Sequence, residues 1–292
     1  MSEFGRHHNR DSDFMDRSKR KVEKYKTVFI SDIHLGSKAC QAELLLDFFR
    51  CTDSETLYLV GDIVDGWRLK RKWYWPQTHN DVVQKILRKA RKGTKVIYVP
   101  GNHDEGLRRY IGTHFGGIEV KTTDIYEAIN GDKYLVLHGD NFDNVMLYAR
   151  WLAYVGDHAY DFILRMNTFF NFVRRLIGMR YWSLSSYLKI RVKNAVQFIS
   201  EFEKVIVKEA AKAGVQGVIC GHIHHAEIKK YDDIIYMNDG DWVESCTALV
   251  EHFDGTWEIL YWSDIIAQQA AKSSKRNSFK KPRLNSMSWA GE

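Results

Sequence analysis

The sequence predicts an α/β protein, a mixed β-sheet core covered by helices. Three observations carry this. Short β-branched apolar runs alternate with helix-period segments in the first hundred or so residues. A group of such runs follows late in the chain with no helical pattern between them. Five of the runs lead directly into Asp, Asn and His residues, and open α/β sheets hold their sites at strand carboxyl ends.

The elements follow in order. Thr27 to Ser31 (TVFIS) is continuously apolar and β-branched, as a buried strand requires. Gln41 to Arg50 has helical spacing through Leu44, Leu45, Phe48 and Phe49. Thr56 to Val60 is a second strand, and residues 77–92 form a helix with Val82, Val83, Ile86 and Leu87 on one face. Strands are expected at Lys95 to Val99, Tyr134 to Leu137, Val215 to Cys220, Ile234 to Met237, Cys246 to Glu251 and Thr256 to Tyr261. The last two are joined by an Asp254-Gly255 turn. The expected organisation is one domain over 27–262 with a helical insertion at about 144–200. It is flanked by disordered basic segments at 1–26 and 263–292.

Composition narrows the function. The 292 residues are 45% hydrophobic and 13% aromatic, enough for a sizeable core. No apolar run is long enough to span a membrane, and the polar N-terminus lacks the apolar stretch of a secretory signal. Cys40, Cys51, Cys220 and Cys246 have no metal-ligand spacing and read as buried free thiols. A cytoplasmic protein is expected. The net charge of +6 is uneven: residues 1–26 carry eight Lys/Arg against five Asp/Glu, and residues 144–193 carry eight against two. The remaining core is acidic, which suits cations, and the basic attachments suit an anionic partner.

The five strand-end motifs are Asp32-Ile33-His34, Gly61-Asp62-Ile63-Val64-Asp65, Gly101-Asn102-His103-Asp104, His138-Gly139-Asp140 and Gly221-His222-Ile223-His224. Each alone is weak. Together they form a donor set of carboxylate, imidazole and amide oxygen that suits Mn, Fe, Zn or Co. Asp32 and His34 are two apart, as are His222 and His224, so each pair points to one side of an extended chain.

On these motifs the chain, over about residues 27–262, resembles the calcineurin-like metallophosphoesterases. The resemblance implies a four-layer αββα sandwich and two divalent transition-metal ions, manganese above all. It places Asp32, His34, Asp62 and His224 on one ion and Asp62, Asn102, His138 and His222 on the other. His103 matches the catalytic histidine, with Asp65 orienting it and Asn102 beside it. Within the family the chain is similar to the UDP-2,3-diacylglucosamine pyrophosphohydrolases, through the Gly-Asp-x-x-Asp-x-Trp form ending at Trp67, the His138-Gly-Asp140 form and the helical insertion. His103 departs from that branch, whose well-known members have arginine there. The implied activity is hydrolysis of a phosphate ester or anhydride, a UDP-2,3-diacylglucosamine-type pyrophosphate first, with a nucleotide or nucleic-acid phosphodiesterase as the alternative and a non-catalytic interaction module as the remote one.

The insertion holds eleven aromatics between Tyr148 and Tyr187 and no Glu in residues 144–193. Val155, Phe162, Met166, Phe169 and Val173 recur at helical steps. A lid is expected, with Phe162 and Phe169 toward an acylated substrate and Arg165, Arg174 and Arg175 toward phosphate or an anionic membrane face. The competing reading is a helical hairpin packed on the core. No nucleic-acid partner is expected.

Overall fold

The computed structural model describes residues 22–142 and 184–278. Strand β1 (Glu23–Ile30) is followed by α1 (Ala42–Cys51), β2 (Thr52–Leu59), α2 (Gly66–Arg71), α3 (Gln77–Arg91) and β3 (Lys95–Tyr98). Four short strands come next: β4 (His114–Phe115), β5 (Ile118–Val120), β6 (Asp124–Glu127) and β7 (Lys133–Val136). Then follow α4 (Leu184–Ala213), β8 (Gly217–Cys220), β9 (Glu227–Tyr231), β10 (Ile234–Asn238), β11 (Thr247–Glu251), β12 (Trp257–Tyr261) and α5 (Trp262–Ser278).

The strands make two sheets, β12-β11-β1-β2-β3-β5-β4 and β6-β7-β8-β10-β9. Strands β1, β2 and β3 are parallel, as are β7 and β8. Side-chain alternation then explains the apolar runs. Val28, Ile30, Leu57, Leu59, Val96 and Tyr98 face the helix side of the first sheet, with Leu45, Phe48, Val82 and Ile86 of α1 and α3. Phe29, Tyr58, Ile97, Tyr126, Val136, Ile219 and Met237 form a second layer between the sheets. Val218, Cys220 and Tyr236 face Phe202, Ile206 and Ala210 of α4 on the outer side of the second sheet. Strands buried on both faces need apolar residues at every position, and the result is the expected αββα order.

Differences lie at the edges. β1 begins at Glu23, inside the segment expected to be disordered. The tail expected to be disordered from 263 is helical through Ser278, because Trp262, Ile265 and Ile266 pack on the core around Phe48. Within the expected insertion, 184–200 belongs to α4, which continues as one helix to Ala213. Three of the four cysteines are buried and Cys40 is half-buried.

Candidate metal centre and active site

All five motifs leave their strands at one end of the sandwich, three from the first sheet and two from the second. Backbone hydrogen bonds lace the turns together: the Asp32 N–H donates to Gly61 O, the His34 N–H to Asp62 O, and the Trp242 N–H to Asp32 O. Turning this sharply requires left-handed backbone. Seven described non-glycine residues have positive φ, and five are Asp32, His34, Asp62, His222 and His224. Each such residue costs roughly 1–3 kcal/mol. Strain gathered on residues expected to share one ligand set signals a function that fixes their direction. Small residues make the approach possible. A Cβ on Gly101 would lie 2.3 Å from Asp62 Oδ1 and 2.6 Å from His138 Nε2.

Three groups of potential ligand atoms converge there: Asp32, His34 and His224; His34, Asp62 and His103; and Asp62, His138 and His222. Asp62 Oδ2 lies 3.4 Å from His138 Nε2 and 3.9 Å from Nε2 of both His34 and His103. Asp32 Oδ1 lies 3.1 Å from His224 Nε2 and 3.7 Å from His34 Nε2. These residues fit metal ions on a further ground. Asp32 Oδ1, His138 Nε2 and both amide atoms of Asn102 are buried without a hydrogen-bond partner, which is costly unless a ligand completes them. His138 Nδ1 lies 2.8 Å from Val60 O. A carbonyl only accepts, so Nδ1 carries the proton and Nε2 is oriented for a cation.

His103 stands beside this cluster, 22% exposed, with its Nδ1 2.9 Å from Asp65 Oδ1. The same oxygen accepts the Arg68 N–H at 2.9 Å and caps α2. Asp65 is therefore both a helix cap and a partner of His103. Burial works against its charge, but His34, His103 and the Arg68 N–H outweigh that and hold its carboxyl well below the usual range.

Several supporting residues carried no assigned role in the sequence. Asp104 is buried and accepts the N–H groups of Ile63 and Gly101 and the Tyr98 hydroxyl, tying the second and third motifs together. Ser31 Oγ lies 2.5 Å from Asp32 Oδ2 and 2.6 Å from Asp239 Oδ1. One hydroxyl proton cannot serve two carboxylates. Burial and the nearby Asp32 push the Asp239 carboxyl well above the usual range. Arg108 Nη2 pairs with Asp140 at 2.6 Å and reaches Pro100 O, linking the third and fourth motifs. The Trp67 ring lies 4.3 Å from that of His103. Asp104 and Trp67 were visible as motif neighbours; Asp239 and Arg108 had no such signal. His79 is an ordinary buried histidine whose Nδ1 accepts the Gly36 N–H. Phe162, Phe169, Arg165, Arg174 and Arg175 lie outside the described residues.

A family model described as calcineurin-like phosphoesterase matches residues 25–226. A UDP-2,3-diacylglucosamine hydrolase of Azotobacter vinelandii is 25% identical over 209 residues, covering 69% of this chain and 83% of that protein. One from Hamiltonella defensa is 24% identical, covering 72% and 81%. A solved phosphoesterase from E. coli covers 80% of this chain and 98% of its own, at 14% identity and a TM-score of 0.39.

Proposed function

The chain belongs to the calcineurin-like phosphoesterase family, a family of metal-dependent hydrolases, and from that premise we propose a dinuclear pyrophosphohydrolase acting on a UDP-2,3-diacylglucosamine-type glycolipid. The products would be UMP and an acyl-sugar phosphate. The observation that carries the hydrolytic centre is the position of Asp62, which shares one ligand group with His34 and another with His138 and His222. In this reading Asp32, His34, Asp62 and His224 hold one ion, and Asp62, Asn102, His138 and His222 hold the other, manganese being the first choice. When bound, the ions supply Lewis acidity to the phosphoryl group and acidify water.

The chain's own residues then have distinct tasks. Asn102, buried with both amide atoms unpartnered, is available to a phosphoryl oxygen as its charge grows. His103 offers Nε2 to the leaving oxygen, a contribution of roughly 10²–10⁴-fold for a well-placed acid. Asp65 accepts the Nδ1–H, so the Nε2–H of the imidazolium is the proton given to the leaving oxygen. The glycolipid substrate draws support from the two UDP-2,3-diacylglucosamine hydrolases to which the chain is similar and from Trp67 lying on His103. The expected insertion would supply the acyl site through Phe162 and Phe169 and phosphate contacts through Arg165, Arg174 and Arg175. A peripheral position on an anionic, cytoplasmic membrane face goes with such a substrate.

The test is a side-by-side assay of glycolipid, mononucleotide diester and single-stranded DNA at equal metal. The glycolipid should be cleaved fastest, and shortening its acyl chains should lower kcat/KM, since each buried methylene is worth about 0.8 kcal/mol. Faster cleavage of DNA or nucleotide, or indifference to acyl length, replaces this reading with a nucleotide phosphodiesterase.

A further inference from the structure

Immediately after the second motif the chain reads Trp67-Arg68-Leu69-Lys70-Arg71-Lys72-Trp73-Tyr74-Trp75. Four cations and four aromatics fall in nine residues, with no acid among them. The segment forms α2 and the turn after it, and no residue of α2 is buried. Leu69 tucks inward, under Gly36. Trp67 is exposed to 38% and Trp73 to 73%, large values for indoles on a surface. Asp65 Oδ2 engages Arg68 at 3.3 Å. Among the described residues, Lys70, Arg71 and Lys72 have no carboxylate partner.

A short helix with nothing under most of its surface gains little from folding against the core. Here it is held by the Asp65 cap at one end and by Leu69 and Trp75 beneath. The outward residues are the two types that favour a membrane interface. Indole rings settle at the headgroup level, and lysine and arginine are drawn to anionic headgroups. The position is specific as well. Trp67 lies on His103 and Asp65 joins α2 to the active site, so whatever α2 rests on lies at the mouth of that site.

We propose that the segment Trp67–Trp73 is a docking surface for an anionic lipid bilayer, with Trp73 inserted at the interface and Lys70, Arg71 and Lys72 on the headgroups. The surface places the mouth of the site at the membrane. Its purpose rests on the glycolipid reading above; its geometry does not.

The test is co-sedimentation of the full-length protein with vesicles of phosphatidylcholine alone and with about one third phosphatidylglycerol. The protein should bind the anionic vesicles and not the neutral ones, and binding should weaken in high salt. Lys70→Gln, Arg71→Gln and Lys72→Gln combined should weaken binding by roughly two orders of magnitude, since three charges act near the surface. Trp73→Ser alone should weaken it severalfold. An unchanged melting midpoint shows that both variants fold. Equal binding of the variants, equal binding to neutral vesicles, or preferential binding of single-stranded DNA that competes with the vesicles each overturns the proposal. Because vesicle binding is read without turnover, its failure leaves the glycolipid assay free to succeed, and the reverse also holds.

Discussion

Asp65 holds His103 by the same carboxylate oxygen that caps α2, both contacts being 2.9 Å. Its other oxygen lies 3.5 Å from Nδ1 of His34. One buried side chain therefore sets the direction of a proposed catalytic imidazole, a proposed metal-ligand imidazole and an exposed helix. The two roles of the first oxygen can be separated, because a cap needs only an acceptor whereas an imidazole partner also uses charge.

Asp65→Asn should keep the cap, since asparagine and aspartate cap about equally well. Its melting midpoint should fall less than that of Asp65→Ala, since the cap survives and only the charge beside His34 and His103 is lost, while turnover falls and the pH–rate profile changes shape. Asp65→Ala should lose both roles, with about 1 kcal/mol of stability from the cap alone. Thermal melting and a pH–rate series decide. A parallel fall in stability for both variants, with no change in the profile, leaves only the structural role.

His103→Ala should lose roughly two orders of magnitude or more in turnover and keep its metal content by elemental analysis. Loss of metal with full activity per remaining ion would make His103 a ligand, as its grouping with His34 and Asp62 allows.

Asp62→Ala should be the most damaging single change for metal. It removes the carboxylate common to two ligand groups and the acceptor of the His103 N–H at 2.8 Å. Elemental analysis after purification in manganese should fall from about two ions per chain toward one or none. Two ions retained would remove Asp62 from its proposed bridging role.

The architecture was legible because strands buried on both faces read as unbroken apolar runs. Phe29 and Tyr58 turn to one layer, and Val28, Ile30, Leu57 and Leu59 to the other. The short edge strands were not legible. β4 has two residues, and β9 alternates half-buried and exposed positions on a lysine-rich stretch, so neither has an apolar run to announce it. α5 was hidden by a polar sequence in which, among the described side chains, Trp262, Ile265 and Ile266 meet the core. At the site, the motifs gave residue types but not the left-handed backbone at five of the expected ligands. Asp239 escaped notice because its tie to Ser31 spans 208 residues.

Metal uptake should release protons. Burial opposes the charge of His34, but Asp32 and Asp65 outweigh it and raise its pKa from 6.5 to about 9. Burial likewise opposes His138, and Asp62 with Asp32 raises it to about 10. Raised values stabilise the metal-free fold fully below pH 6.5, and that contribution disappears as pH rises through 9 and 10. Asp32 and Asp62 are lowered: burial opposes this, but the neighbouring histidines outweigh it, so their contribution is present above 3.8 and lost in acid. A cation needs neutral imidazole. Calorimetry at pH 7.5 in buffers of different ionisation enthalpy should therefore show proton release on manganese binding. The melting gap between loaded and metal-stripped protein should widen from pH 6 to 9. Binding with no buffer dependence would remove these histidines from the ligand set.

Gly101→Ala tests whether the ligand geometry, and not the fold, sets the metal site. Gly101 needs no left-handed backbone, so alanine carries no conformational penalty there. What it adds is one methyl group, 2.3 Å from Asp62 Oδ1 and 2.6 Å from His138 Nε2. Both residues belong to the proposed Asp62, Asn102, His138 and His222 site, and their side chains are buried, with His138 Nδ1 fixed on Val60 O and Asp62 Oδ1 on the His103 N–H. Neither can retreat without breaking a hydrogen bond, and Asn102 is the next residue along the chain. Asp62 meets the Asp32, His34 and His224 side through its other oxygen, Oδ2, 3.9 Å from His34 Nε2. The expected result is a folded protein that loses the ion of the Asp62, His138 and His222 group first, with manganese near one per chain and activity down by orders of magnitude. Two ions at wild-type affinity together with wild-type turnover would mean that this crowded corner is not where the chemistry occurs.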